Sequence, residues 1–584
     1  MTQPKTPLRK AFRWWEEGVI YQIYALTFAD ASGDGVGDLR GIIERLDYLN
    51  DGQVHHQTHH SKETNKTLED LSTGGNTLGI DAIWLSPINK SPMVDNGYDI
   101  ADYTKICTTF GNLKDFDELV EKAHQRGIKI ILDLVVNHTS NQHPWFIESS
   151  SSQHNPKADW YLWQDAQGSR AYPNDWQSYF GGPGWTYVPE RKQFYFHTFN
   201  KNQPDINWHN PEVKAAVYDI VRFWLERGVD GFRLDASSVY IKDPYFRDNP
   251  MKYGASDKND YNNYHHLYDK NLPKNHQIIR DIRAILDEYG DRVLIGETFI
   301  DSTLYESVVF YGKNNDELHL PITFEFPFSP WHPGYLQRQI AKTEKLTPPN
   351  AWPTYFLDNH DIPRHLSRWI ECSLCVDSNA IAKAAATLLL TVRGTPILYY
   401  GQELGMQDNT DIPEDQLKDD AVTTSDTGET PPPRDGARTP MQWDASAHAG
   451  FSFGKEIAPW LPVHKNYTDL NVAAALKDPH SILNFYRQLI RIRKHSLALR
   501  RGSWRSLIHY PHEHMAYLRE FQEETEQETV LVAINFSYEQ PFTLDVPLER
   551  AQWRVLLSTA YEANKVIDIS ENLQPFEVSI LRKA

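Results

Sequence analysis

Eight short apolar segments recur along this chain with amphipathic helical stretches between them, and that alternation constrains its fold more than any other feature. The segments are GVIYQIYALTF (18–28), DAIWLSP (81–87), KIILDLVVNH (129–138), VDGFRLDA (229–236), RVLIGET (292–298), LPITFEF (320–326), TYFLDNHD (354–361) and PILYYGQEL (396–404). Stretches such as LKDFDELVEKAHQRG and NHQIIRDIRAILDEYG lie between them with helical apolar spacing. Strands alternating with helices predict a parallel sheet, and eight such units predict an α/β (β/α)8 TIM barrel.

The reactive side chains gather at one end of these segments. Asn137 and His138 end the third, Arg233 and Asp235 lie at the end of the fourth, Glu297 ends the fifth, and His360 with Asp361 ends the seventh. A barrel builds its active site at the C-terminal ends of its strands. In GFRLDASSVY (231–240) an arginine and an aspartate stand two residues apart among apolar neighbours, so at a strand period of two they share a face. Charges are rarely placed in a core unless paired or functional. A structural ion pair would explain these two residues but not the polar ends of the other strands.

At 584 residues the chain exceeds what one core can serve, so further domains are expected. Residues 139–205, rich in Trp, Tyr, Gly and Pro, read as a small subdomain inserted after the third strand. Beyond residue 500, short alternating segments (HMAYLREF, TVLVAINFS, FTLDVPL, WRVLLST) read as a C-terminal antiparallel β domain, a β-sandwich over 501–584. The catalytic barrel is then 1–138 and 206–500. Aromatics at 12% suit both sugar stacking and a large packed core. A net charge of −19 with no basic tract argues against nucleic acid or an anionic membrane as a partner. The N-terminal stretch shows no signal peptide, and the longest apolar run is interrupted by Arg393 and too short to span a bilayer. Three cysteines, Cys107, Cys372 and Cys375, read as free thiols of a cytoplasmic protein.

Four of the strand-end segments, DLVVNH, GFRLDA, IGET and LDNHD, resemble in order the signature regions of the α-amylase superfamily, glycoside hydrolase family 13. QPDINW (203–208) and RDGARTPMQWD (434–444) resemble segments of its oligo-1,6-glucosidase and α-glucosidase branch. The resemblance implies a retaining α-glycosidase with Asp235 as nucleophile, Glu297 as general acid/base and Asp361 as the third carboxylate, which binds sugar hydroxyls. Such chemistry needs two carboxyl groups roughly 5 Å apart, one ionised and one protonated. Arg233 is expected to keep Asp235 charged while a drier, carboxylate-rich setting keeps Glu297 protonated. The resemblance assigns substrate binding to Asp95, Tyr98, His138, Phe180, Arg233, Ala236, His360 and Arg434. An Asp95–Arg434 pair would close the pocket, so attack comes from the non-reducing end of a small oligosaccharide.

DASGDGVGD (30–38) places oxygen donors at alternate positions, namely Asp30, Ser32, Asp34, the Val36 carbonyl and Asp38. This resembles a calcium-binding loop whose ion is structural, and Ser32 at the third position opens it to magnesium. The stretch 51–76, with His55, His56, His59 and His60, is an insertion lacking apolar periodicity and reads as a flexible solvated loop rather than a metal site. Ala236 follows the nucleophile; in this branch alanine accompanies α-1,4 and valine α-1,6 cleavage, a methylene-scale choice of roughly 1–3 kcal/mol. GFRLDASSVYIKDPYFRDNP, NYHHLYDK and PWLPV look closest to bacterial α-glucosidases that take short oligosaccharides. The charged residues that mark sucrose isomerases are missing from FEFPFSPWHP, which leaves sucrose hydrolysis but not its isomerisation in view. The expected activity is therefore exo-acting α-glucosidase on maltose-like substrates, with sucrose as a second candidate and transglucosylation as the rival reaction. A non-catalytic sugar-binding relative would lack one of Asp235, Glu297 or Asp361, and all three are present. A monomer or homodimer is expected.

Overall fold

Each of the eight apolar segments contributes one strand to a single parallel sheet in the computed structural model. The strands are β1 (Ile20–Ile23), β2 (Ala82–Leu85), β3 (Lys129–Leu134), β4 (Gly231–Leu234), β5 (Val293–Glu297), β6 (Leu320–Ile322), β7 (Thr354–Phe356) and β8 (Thr395–Tyr399). Their ladder runs β6-β5-β4-β3-β2-β1-β8-β7, so the chain forms the expected (β/α)8 barrel. The structure describes residues 12–53, 75, 77–165, 168–298, 302–371, 377–419, 434–453, 457–510, 512–543, 551–568 and 572–584. The histidines of the 51–76 stretch, Cys372 and Cys375 lie outside the described residues.

The strands are shorter than the apolar segments. Of 18–28 only Ile20–Ile23 is strand, and Ala25–Phe28 is already helical. β3 stops at Leu134, β4 at Leu234 and β7 at Phe356, which puts His138, Asp235, His360 and Asp361 on the loops just beyond. Helices fill the gaps as predicted. Leu113–Gln125 starts at an Asn112 cap and buries Phe116, Leu119, Val120 and Ala123, one helical stripe. Pro273–Glu288 buries Ile278, Ile279, Ile282, Ile285 and Leu286 in the same manner.

Alternation along the strands explains both the core and the site. Ile20, Trp84, Ile131, Val293, Ile295, Leu320 and Ile322 pack together inside the barrel, while Tyr21, Ile83, Ile130, Leu132 and Leu294 face the helices. The same period of two carries Gln22, Asp133, Arg233 and Glu297 inward, above that apolar plug.

Residues 139–205 hold a small three-stranded antiparallel sheet, Trp163–Gln164, Trp185–Val188 and Gln193–Phe196. Toward the C-terminus a six-stranded antiparallel sheet has Val578–Lys583 between Gln527–Asn535 and Gln552–Ser558, and a separate two-stranded ribbon pairs Phe542–Thr543 with Asn572–Leu573. That sheet is covered on both faces: Met515, Tyr517, Val530, Val532 and Ile534 join the barrel's outer core, while Ala516, Leu518, Leu531 and Ala533 pack with Leu573 and Phe542. No helix among the described residues is long and apolar enough to cross a membrane.

Candidate active site

Arg233 is the centre of the barrel mouth. It is 1% exposed, lies 5.3 Å above the Trp84 ring and spans three carboxyl groups. Its Nη1 donates to Asp133 at 2.7 Å and to Asp235 at 2.8 Å, and its Nη2 donates to Glu297. The arginine is therefore shared, not reserved for Asp235 as the sequence suggested. Burial drives the carboxyls of Asp235 and Glu297 both above their usual range, with Arg233 opposing the rise in each. The neighbours alone do not separate the two groups, because Asp133, Asp235 and Glu297 share one guanidinium and titrate together. Glu297 is further fixed through its carbonyl, which accepts from Ser237 N at 2.9 Å and Ser237 Oγ at 2.7 Å.

Asp361 faces a second cationic set. Its Oδ1 accepts from Arg434 Nη1 at 2.9 Å and Arg438 Nη2 at 3.2 Å. Burial opposes its ionisation, but His360, Arg434 and Arg438 hold it well below the ordinary carboxylate range. Beside it the His360 ring is stacked between Tyr98 (5.3 Å, 8° between planes) and Tyr24 (5.7 Å, 20°). Burial lowers its pKa to about 3, so the imidazole is neutral at working pH. The Gln22 side-chain amide lies 2.8 Å from the ring Nδ1, and the ring Nε2 faces Tyr98 Oη at 2.6 Å and Asp361 Oδ2 at 3.1 Å.

The Asp95–Arg434 pair expected to close one end of the site is also formed. Asp95 accepts from Arg434 Nη2 at 3.3 Å, the pair expected from sequence, and from Gln203 Nε2 at 2.9 Å. Gln203 also lies 3.2 Å from His138 Nε2, whose pKa burial lowers. Phe180 stands against the Arg434 guanidinium, its ring centre 5.9 Å away. Tyr98 donates to Asp133 at 3.1 Å. Ala236 is buried next to Val239 and Tyr261 and holds a φ of 44°, the left-handed region, with its N–H 3.4 Å from Glu297 Oε2. The structure thus brings together every residue that the sequence nominated for catalysis and substrate binding.

Several partners were not nominated. Asp133 stood in the quoted DLVVNH, and its inward position two residues from Ile131 is the same signal that marked Arg233. Gln203 lay in QPDINW and Arg438 in RDGARTPMQWD, whereas Gln22, Tyr24, Trp84 and Asp419 carried no comparable mark. Lys242 and Asp205, each with a side chain 1% exposed, pair at 2.9 Å and tie the 139–205 region to the loop after β4.

The 30–38 loop is held by hydrogen bonds of its own. Asp30 Oδ1 accepts from Ser32 Oγ at 3.1 Å and Asp30 Oδ2 from Gly35 N at 2.9 Å. Asp38 Oδ2 accepts from Ala31 N and Ser32 N, and Asp34 accepts from Val36 N. Gly35 takes a φ of 91° with its carbonyl bonded to Trp460 N, a place where a Cβ would meet the Ala458 carbonyl at 2.4 Å. Among the described residues no group of three or more His, Cys, Asp or Glu side chains is placed to hold a metal, so any ion here would lean on the Ser32 hydroxyl and Val36 carbonyl as well.

The model of the α-amylase catalytic domain matches residues 22–56 and 76–502. The oligo-1,6-glucosidase of Parageobacillus thermoglucosidasius is 35% identical over 605 residues, covering 97% of this chain and 99% of that one. A probable α-glucosidase of Rhizobium meliloti (strain 1021) is 38% identical over 499 residues, 84% of each chain. The crystal structure of the α-glucosyl transfer enzyme XgtA superposes with a TM-score of 0.83 at 34% identity, over 98% of this chain and 100% of that one. Matched in sequence across nearly the whole barrel and in fold almost end to end, this chain belongs to the α-amylase family of glycoside hydrolases.

Proposed function

We propose that the chain is a retaining, exo-acting α-glucosidase that removes terminal glucose from short oligosaccharides, with α-1,4 links such as maltose preferred and sucrose as a second substrate. One observation carries the reading: Asp235 and Glu297 sit on the two ends of one buried guanidinium, with Asp361 facing them under its own arginines. Two carboxyl groups held by one guanidinium lie near each other, which supports the short spacing, roughly 5–5.5 Å, that a double displacement uses.

In this reading Glu297 gives its proton to the glycosidic oxygen while an Asp235 oxygen attacks the anomeric carbon. The C–O bond to the leaving sugar breaks and a β-glucosyl ester forms on Asp235. Water then yields a proton to Glu297 and attacks the same carbon, freeing α-glucose and the Asp235 carboxylate. Asp361, kept ionised, accepts hydroxyls of the bound glucose; neutral His360, His138 and Tyr98 line the same subsite. The Asp95–Arg434 link closes its far side, which supports release from the non-reducing end. The small Ala236 beside the nucleophile supports α-1,4 preference, although several relatives are named for 1,6 links.

A transglucosylase is the second reading, favoured by the likeness to an α-glucosyl transfer enzyme. The same carboxylates serve, and a sugar or polyol hydroxyl replaces water. In the 30–38 loop the all-oxygen donor set of Asp30, Ser32, Asp34, Val36 and Asp38 suits calcium, with magnesium as a substitute, and such an ion would brace the loop without entering the reaction. The barrel (1–138 and 206–500) would supply catalysis, the 139–205 subdomain one wall of the mouth, and the 501–584 domain support. A buried reduced Cys107 supports a cytoplasmic setting, and a monomer or homodimer is proposed.

The test is product analysis. Purified chain and its Asp235→Asn variant are incubated with maltose, isomaltose, sucrose and trehalose, and products are resolved by chromatography and by NMR of the released anomer. α-Glucose from maltose supports the reading; new glucosides at low conversion would move it to transglucosylation. A wild type as inert as the variant would overturn it.

A further inference from the structure

Arg434 is held more tightly by a carboxylate outside the pocket than by either one inside it. Asp419, 2% exposed, takes two of its side-chain donors, Nε at 2.9 Å and Nη2 at 2.7 Å, and accepts the Arg434 backbone N–H at 2.9 Å as well. Within the pocket, Asp361 receives one bond at 2.9 Å and Asp95 one at 3.3 Å. A bidentate carboxylate–guanidinium pair fixes the plane of the arginine as well as its charge. Asp419 is fixed in turn: Asp435, fully buried, accepts the N–H of Lys418 at 2.6 Å and of Asp419 at 3.0 Å. The Lys418 carbonyl also receives Asn96 Nδ2 at 3.4 Å, which joins this segment to the loop that carries Asp95.

We propose that Asp419 is a positioning residue that anchors Arg434, so that Asp95 is free to give up the arginine and receive sugar hydroxyls. This rests on the glucosidase reading above. With Asp419 in place, Arg434 stays aimed at Asp361 when a glucose ring takes Asp95. Without it the guanidinium has, among the described residues, the two pocket carboxylates left and closes on Asp95, which removes an acceptor from the substrate. Asp361 keeps Arg438 and His360 in either case. The loss therefore falls on binding of the terminal glucose, felt equally in ground and transition states, and not on the bond-breaking step.

The experiment compares wild type with Asp419→Asn, using steady-state kinetics on maltose and calorimetric binding of a glucose-shaped iminosugar. Expected are a rise in KM and in the iminosugar Kd of roughly 10- to 100-fold, the range of a lost charge-assisted pair, with kcat within about threefold. Unchanged kinetics and binding, or a fall in kcat at unchanged KM, would overturn the assignment. Should Asp419→Asn fail to fold by circular dichroism, Asp435→Asn decides on the same two readouts, with a smaller shift in the same direction expected. A wild type that neither cleaves maltose nor binds the iminosugar would instead defeat the glucosidase reading itself.

Discussion

Replacing Arg233 by Met is the sharpest perturbation of this site, because it keeps an unbranched apolar stem and removes the guanidinium that three carboxylates share. Asp133, Asp235 and Glu297 have side chains 0%, 12% and 13% exposed, so water cannot substitute for the lost partner. Removing one member of a buried ion pair costs about 3–5 kcal/mol, a large part of the roughly 5–15 kcal/mol that holds a protein folded. The cost depends on pH, with a definite sign. Burial already raises Asp235 and Glu297 above their unfolded values, and Arg233 is the main group restraining that rise. In the variant the folded values climb further. A raised carboxyl contributes its stability below its unfolded pKa and loses it as pH rises through the folded one, about 1.4 kcal/mol per group for each unit of separation. Arg233→Met should therefore melt close to wild type near pH 5 and far below it at pH 8, with activity lost at both. Thermal unfolding of both proteins at one scan rate and several pH values measures the gap. A gap of the same size at pH 5 and pH 8 would show that Arg233 acts by packing and that the shared-charge account is wrong.

Ala236→Val should raise the isomaltose-to-maltose ratio of kcat/KM by roughly 10- to 200-fold, the worth of one to a few methylene contacts, and lower thermal stability because a branched side chain strains a φ of 44°; equal losses on both sugars would refute the linkage argument. Glu403, buried with its Oε1 accepting from Tyr21 at 2.7 Å and Tyr48 at 2.6 Å, has a pKa raised by burial. Its stability contribution is full at low pH and lost as pH rises through that raised value, so Glu403→Gln should gain on wild type from pH 5 to pH 8; parallel melting curves would contradict this. Lys242→Met strands the buried Asp205 carboxylate and should cost about 3–5 kcal/mol. Faster protease cutting within 139–205 is its readout, and unchanged cutting would mean that the Lys242–Asp205 pair does not anchor that region.

The barrel was legible because its strands are short and bounded by polar ends, and because a charged pair inside an apolar run has few explanations. Strand ends were read too far along: hydrophobicity continues past Leu134 and Phe356 in residues that line the mouth rather than pair, and side-chain type cannot mark where ladder bonding stops. Asp235, Glu297 and Asp361 were legible as carboxylates gathered at one barrel mouth, but the state of their protons was not. That state depends on Arg233 reaching three carboxylates at once, one of them on β3, and such sharing is a property of three-dimensional register. Asp419 was invisible for a related reason. In DIPEDQLKDD it is one acid among many, and only the fold brings it against Arg434.

The strand at the middle of the six-stranded sheet, Val578–Lys583, is made after both of the strands it joins. During synthesis, Gln527–Asn535 and Gln552–Ser558 must therefore wait without a shared ladder until that strand is made. A chain interrupted before residue 578 leaves the two halves of that sheet unjoined, each with an open strand edge of the kind that pairs with other chains.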